Sequence, residues 1–96
     1  MDAIREMSRL LARVKDEALI EGFIRSILTA NEVREISSRW ELVKRLDRGQ
    51  SQRRIARDLG LSLCKITRGS RELKRTASPF RRMVRLQSRN GAPDDR

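Results

Sequence analysis

At 96 residues, 38% hydrophobic and 3% aromatic, the chain has room for one domain and few large side chains to fill a core, so burial against a second copy is expected from the outset. The net charge of +10 is local: residues 1–43 carry 7 basic and 8 acidic side chains, residues 44–75 carry 11 and 3, and residues 76–96 carry 5 and 2. A single cysteine, Cys64, and no histidine exclude an intramolecular disulfide and make a zinc site implausible. The N-terminus lacks the pattern of a signal peptide and no apolar run approaches a membrane span, so a cytoplasmic protein is expected.

In chain order, Ile4, Met7, Leu11 and Val14 recur at spacings of three and four and predict an amphipathic helix over about 2–15. Leu19, Phe23, Ile24, Ile27 and Leu28 repeat at helical spacing with little polar relief, predicting a second, largely buried helix. Thr29 followed by Glu32 is a capping box, the signature of a helix start. Behind it Val33, Ile36, Trp40, Val43 and Leu46 share one face of the longest helix, which Gly49 should stop, with Trp40 as a core anchor. Ser51 caps a short helix with Ile55, Ala56 and Leu59 inward and Gly60 at its end, and Ser62 caps a further helix over about 63–74. Ser78-Pro79, a cap followed by proline at the first helical position, opens the last helix, which carries Phe80, Met83, Val84 and Leu86. From residue 88 onward nothing is periodic, so a single domain over 1–87 and a flexible tail over 88–96 are expected. No alternating run predicts a strand. The expected fold class is all-α, with about six helices.

Residues 52–74 have what a helix-turn-helix needs. Ala56 is small where the second helix crosses the first, Gly60 tolerates a left-handed turn, and Ile55, Leu59, Leu61 and Ile66 are placed to lock the pair. The whole unit lies in the basic segment, whose surface suits a polyanion by counterion release. The expected contacts follow. Gln52 meets phosphate together with helix N-terminal amides. Arg53, Arg54 and Arg57 reach phosphates or a guanine edge, and Ser62, Cys64, Lys65 and Thr67 on the second helix face the major groove.

The stretch from Leu28 to Lys74 resembles the Trp repressor family. The residues that carry the resemblance are Leu28-Thr29 with Glu32, Ser38-Arg39, Leu42-Val43, Arg48-Gly49, Ser51-Gln52-Arg53 and, most specifically, Ile66-Thr67-Arg68-Gly69-Ser70 followed by Leu73-Lys74. The resemblance implies an intertwined, all-helical homodimer that represses transcription at a double-stranded DNA operator, a docking geometry for which Trp repressor is itself a standard example. It implies no cofactor beyond a small amino-acid corepressor, L-tryptophan. The corepressor would be held by Thr29, Arg39, Arg68, Gly69 and Glu72, with Arg39 and Arg68 sandwiching the indole and Gly69 admitting it. Glu72 stands where the family often has a small hydroxyl residue, Ser26 where a leucine usually faces the pocket, and the link between Gly49 and Ser51 is shorter than in familiar members.

Two other DNA-binding readings remain open: a regulator with a different small-molecule ligand or none, and a replication- or transposition-type DNA module. An enzyme is not expected, because the chain has no histidine, no tyrosine, no paired carboxylates on an apolar face and no phosphate loop. The basic helices also lack the broad apolar face of a membrane-surface protein.

Overall fold

Two aspartates decide where the chain begins its helices. In the computed structural model, which describes residues 2–75 and 77–89, the Asp2 carboxylate accepts from the Arg5 N–H at 3.2 Å and the Asp16 carboxylate from the Leu19 N–H at 3.2 Å. They cap α1 (Ala3–Leu11) and α2 (Glu17–Ile27). The first helix is therefore shorter than its apolar spacing predicts. Asp16 takes extended geometry to serve as a cap, so the chain must leave α1 before it, and Val14 falls in the link. Among the described residues four further helices follow: α3 (Ala30–Asp47), α4 (Gln52–Leu59), α5 (Leu63–Lys74) and α6 (Pro79–Arg89). No strand occurs among the described residues, and the molecule is all-α as expected.

The chain divides into two compact units, Met1–Arg34 and Glu35–Arg96, with the division inside α3. In the first unit Met7, Leu10, Leu11 and Val14 line an apolar groove of about 300 Å³ with Leu19, Ile20 and Phe23 of α2. No residue of α2 is buried, which corrects the expectation of a largely buried helix. Its apolar stripe is wider than the short α1 covers, and Leu19 and Ile27 remain 58% and 53% exposed. The Thr29–Glu32 box is present in both directions: the Thr29 hydroxyl accepts from the Glu32 N–H at 3.1 Å and the Glu32 carboxylate from the Thr29 N–H at 2.8 Å.

The second unit is organised around Leu42, Ile55 and Ile66, one buried residue from each of α3, α4 and α5, with Leu46, Ala56, Leu59 and Leu61 packed against them. Leu42 lies beside the apolar series read from the sequence rather than in it, because α5 crosses α3 on that side. Trp40 is half-buried rather than fully enclosed and stacks on Phe80 of α6, ring centroids 6.0 Å apart. Gly49 stops α3 with φ +89°, its N–H and that of Gln50 reaching back to the Leu46 and Arg45 carbonyls. Val84 is buried on α6, whereas Met83 and Leu86 are exposed. The last helix carries Ser88 and Arg89, residues assigned to the tail by periodicity; residues 90–96 lie outside those described.

Candidate nucleic-acid interface and ligand cavity

The reading head is built by three local devices. The Ser51 hydroxyl accepts from the Arg54 N–H at 3.1 Å and opens α4. Gly60 takes φ +65° and its N–H, with that of Leu61, closes on the Ala56 carbonyl. The Ser62 hydroxyl accepts from the Lys65 N–H at 3.3 Å and opens α5. Ile55 and Ile66, both 0% exposed, then lock α4 against α5. The result is a helix-turn-helix whose second helix begins on exposed residues: Ser62, Leu63, Cys64 and Lys65 are all open to solvent. Leu63, at 66% exposure, was not singled out by sequence. An unburied leucine at the mouth of a recognition helix is suited to apolar contact with a thymine methyl.

Behind α5, within the second unit, lies a cavity of about 230 Å³. It is lined by Glu35, Ser38, Arg39, Leu42 and Val43 of α3 and Lys65, Arg68, Gly69 and Glu72 of α5, with Leu61 and Phe80 completing the lining. Its volume is just under the roughly 300–1,000 Å³ of drug-sized pockets, which suits a metabolite of amino-acid size. Apolar walls and a few charged side chains at the edge give it the usual make-up of a small-molecule site.

The family model described as Trp repressor protein matches residues 2–88. The chain belongs to the Trp repressor family. Among similar proteins are the Trp operon repressor homologs of Chlamydia trachomatis serovars L2 and D, each 29% identical over 79 residues, spanning 81% of this chain and 84% of theirs. A crystal structure of a TrpR-like protein from Eubacterium eligens superposes with a TM-score of 0.78 at 24% identity, over 99% of this chain and 95% of the other, and shows the shared fold. As a Trp repressor family member the chain is a repressor-type DNA-binding regulator, a class of regulators rather than enzymes. No helix among the described residues is long and apolar enough to cross a membrane.

Within this fold the expected site residues are distributed unevenly. Gln52 is the first residue of α4, and Arg53, Arg54 and Arg57 are exposed along that helix. The Cys64 thiol is exposed, and the Thr67 hydroxyl donates to the Leu63 carbonyl at 2.9 Å. Lys65 also belongs to the cavity, where its Nζ lies 3.4 Å from Glu35 Oε2. Four of the five expected ligand residues, Arg39, Arg68, Gly69 and Glu72, line one cavity. Thr29, in the first unit, caps α3. Gly69 has a packing reason of its own: a Cβ there would stand 2.9 Å from Leu42 Cδ2 and 3.1 Å from its Cγ. Glu72 is engaged on both oxygens. It accepts from the Ser78 hydroxyl and, at 3.0 Å, from Arg75. The Ser78 hydrogen bond, and then Arg75, hold its carboxyl below the ordinary value of 4.5.

Sequence reasoning missed Glu35, Ser38 and Leu61 as cavity residues and Asp58 as a hub of ion pairs. Glu35 falls one turn before Arg39 on α3, and Ser38 one turn after Glu35, so the spacing from Arg39 was the available signal for Glu35 alone.

Proposed function

We propose that this Trp repressor family member is a homodimeric repressor whose operator affinity is raised by a corepressor seated in the α3–α5 cavity, with L-tryptophan as the ligand. The observation that carries this reading is that Arg39, Arg68 and Glu72 line the same cavity, between the core helix α3 and the reading helix α5. The two guanidinium planes suit the faces of an indole. Arg68 suits the ligand's carboxylate and Glu72 its ammonium. A ligand wedged between core and reading helix favours one angle of the head over others, a population shift toward the form in which two recognition helices meet successive major grooves.

The homodimer is supported by the apolar side chains left outside in a single chain. Ile4, Leu10 and Leu19 are 69%, 61% and 58% exposed, a cost in water that a second copy would remove.

A second reading, a corepressor other than tryptophan, is favoured by Glu72, which is already engaged by Ser78 and Arg75. Calorimetry with L-tryptophan beside other amino acids separates the two. Saturable heat with tryptophan, abolished in Arg68→Leu while the variant keeps its helical content, is expected; no heat at millimolar tryptophan removes the first reading.

A further inference from the structure

The reading head carries two acids, Asp58 and Glu72, and Asp58 on α4 is the one that stands among its DNA-facing arginines. From Arg48 through Arg71 there are seven basic residues and a single acidic one, Asp58. A carboxylate on a phosphate-facing helix repels the backbone the head must approach. Its surroundings supply a reason for it. Asp58 Oδ2 accepts from Arg45 Nη1 of α3 at 3.4 Å and stands 3.7 Å from Arg54 Nε, while Oδ1 stands 3.8 Å from Arg57 Nε. Arg45 is in turn held by Glu41 at 3.4 Å, and Glu41 by Lys44 at 2.6 Å. The chain of charges runs from the core helix α3 to two arginines of α4. Burial pushes the Glu41 carboxyl up, but Lys44 and Arg45 outweigh it and hold it below its ordinary value, so the inner end stays charged.

We propose that Asp58 is a positioning residue for DNA reading: it gathers the Arg54 and Arg57 guanidiniums on one side of α4 and ties them, through Arg45, to the core. Arg54 and Arg57 lie three residues apart and share a helix face. They are 62% and 75% exposed along their side chains, so each would otherwise sample many rotamers that a phosphate or base contact must freeze. Holding them beforehand lowers that ordering cost only where the DNA presents its groups in the matching register. Asp58 therefore trades general affinity for discrimination. The pairs are solvent-exposed and contribute little to stability, so removing them should leave the fold intact and let recognition be read separately.

The test uses the full chain and two duplexes of equal length, one selected by the protein itself from a random pool and one scrambled. Asp58→Asn should hold or raise affinity for the scrambled duplex, since a negative charge is gone. It should also lower the ratio of selected to scrambled affinity on the order of tenfold, as two arginines lose their pre-ordering. Asp58→Glu, which restores a carboxylate within reach of the same arginines, should recover most of the ratio. An equal rise in both affinities would mean that Asp58 is only a local repulsive charge and overturns the proposal, as does an unchanged ratio. If circular dichroism shows Asp58→Asn unfolded, Arg45→Gln decides. It cuts the tie to α3 with Asp58 intact, and an unchanged ratio there overturns the proposal equally.

Discussion

Gly69 sits buried against Leu42, and the reason it is glycine is visible only in that contact. Leu42 is 2% exposed and packed with Ile55 and Ile66, so it has little room to yield to a Cβ at 2.9 Å. Overpacking of this kind costs about 1–3 kcal/mol, and alanine returns about 1 kcal/mol of helix propensity. Gly69→Ala should therefore destabilise the protein by about 1 kcal/mol net, read as a lower urea midpoint; a more stable variant would mean that α5 has slack against α3. The resemblance pointed to position 69 as a place where a ligand needs room. The closer physical constraint is helix against helix, with the cavity beside it. Ile66, fully enclosed between the head helices, carries a larger load. Ile66→Ala should cost about 2–5 kcal/mol and abolish DNA binding together with the head's helical signal.

The elements are held at their joints. Ser78 is buried, accepts from the Arg81 N–H at 3.2 Å as the cap of α6, and donates its own proton to Glu72 near the end of α5. One hydroxyl thus starts a helix and fastens it to the previous one. Because the Glu72 carboxyl is held below its ordinary value of 4.5, this tie contributes fully above that value and is lost as the pH falls through the lower folded-state pKa. Denaturant midpoints followed from neutral to acid pH should fall below about pH 4.5 for the wild type. In Glu72→Gln, which has no such proton to take up, part of that acid dependence should vanish. Glu41 on α3 acts with the same sign and leaves a residual slope in the variant. A wild type and variant with parallel acid limbs would show that the Ser78 tie adds nothing to folding.

At the scale of the whole molecule the unsatisfied quantity is apolar surface. Among the described residues five hydrophobic side chains are buried, Leu42, Val43, Ile55, Ile66 and Val84, all in the second unit. The first unit has a groove but no buried residue in either α1 or α2. A chain with so small a core is marginal alone. Sedimentation should give twice the chain mass of 11.2 kDa, with a melting temperature that rises with protein concentration. Leu19→Glu, which sets a charge on the exposed stripe, should give a monomer or an unfolded chain. A stable monomer in the wild type would remove the dimer reading.

The sequence by itself determined the helix order, the serine caps, the Gly49 stop, the Gly60 turn and the locking set of Ile55, Leu59, Leu61 and Ile66. Each of these depends on residues a few positions apart, where backbone geometry and helical spacing leave small freedom. The basic character of the reading head was equally legible, since charge counts need no coordinates. Burial of α2 was overestimated because periodicity marks an apolar face without saying whether one chain can cover it. The family resemblance had already paired Arg39 with Arg68; only the tertiary structure set Glu35 and Ser38 beside them in one cavity. It also joined Lys65 to Glu35 across thirty positions and seated Asp58 among arginines from two helices. Those pairings follow from how α3 crosses α4 and α5, which is set by the volumes packed between them and written at no single place in the chain.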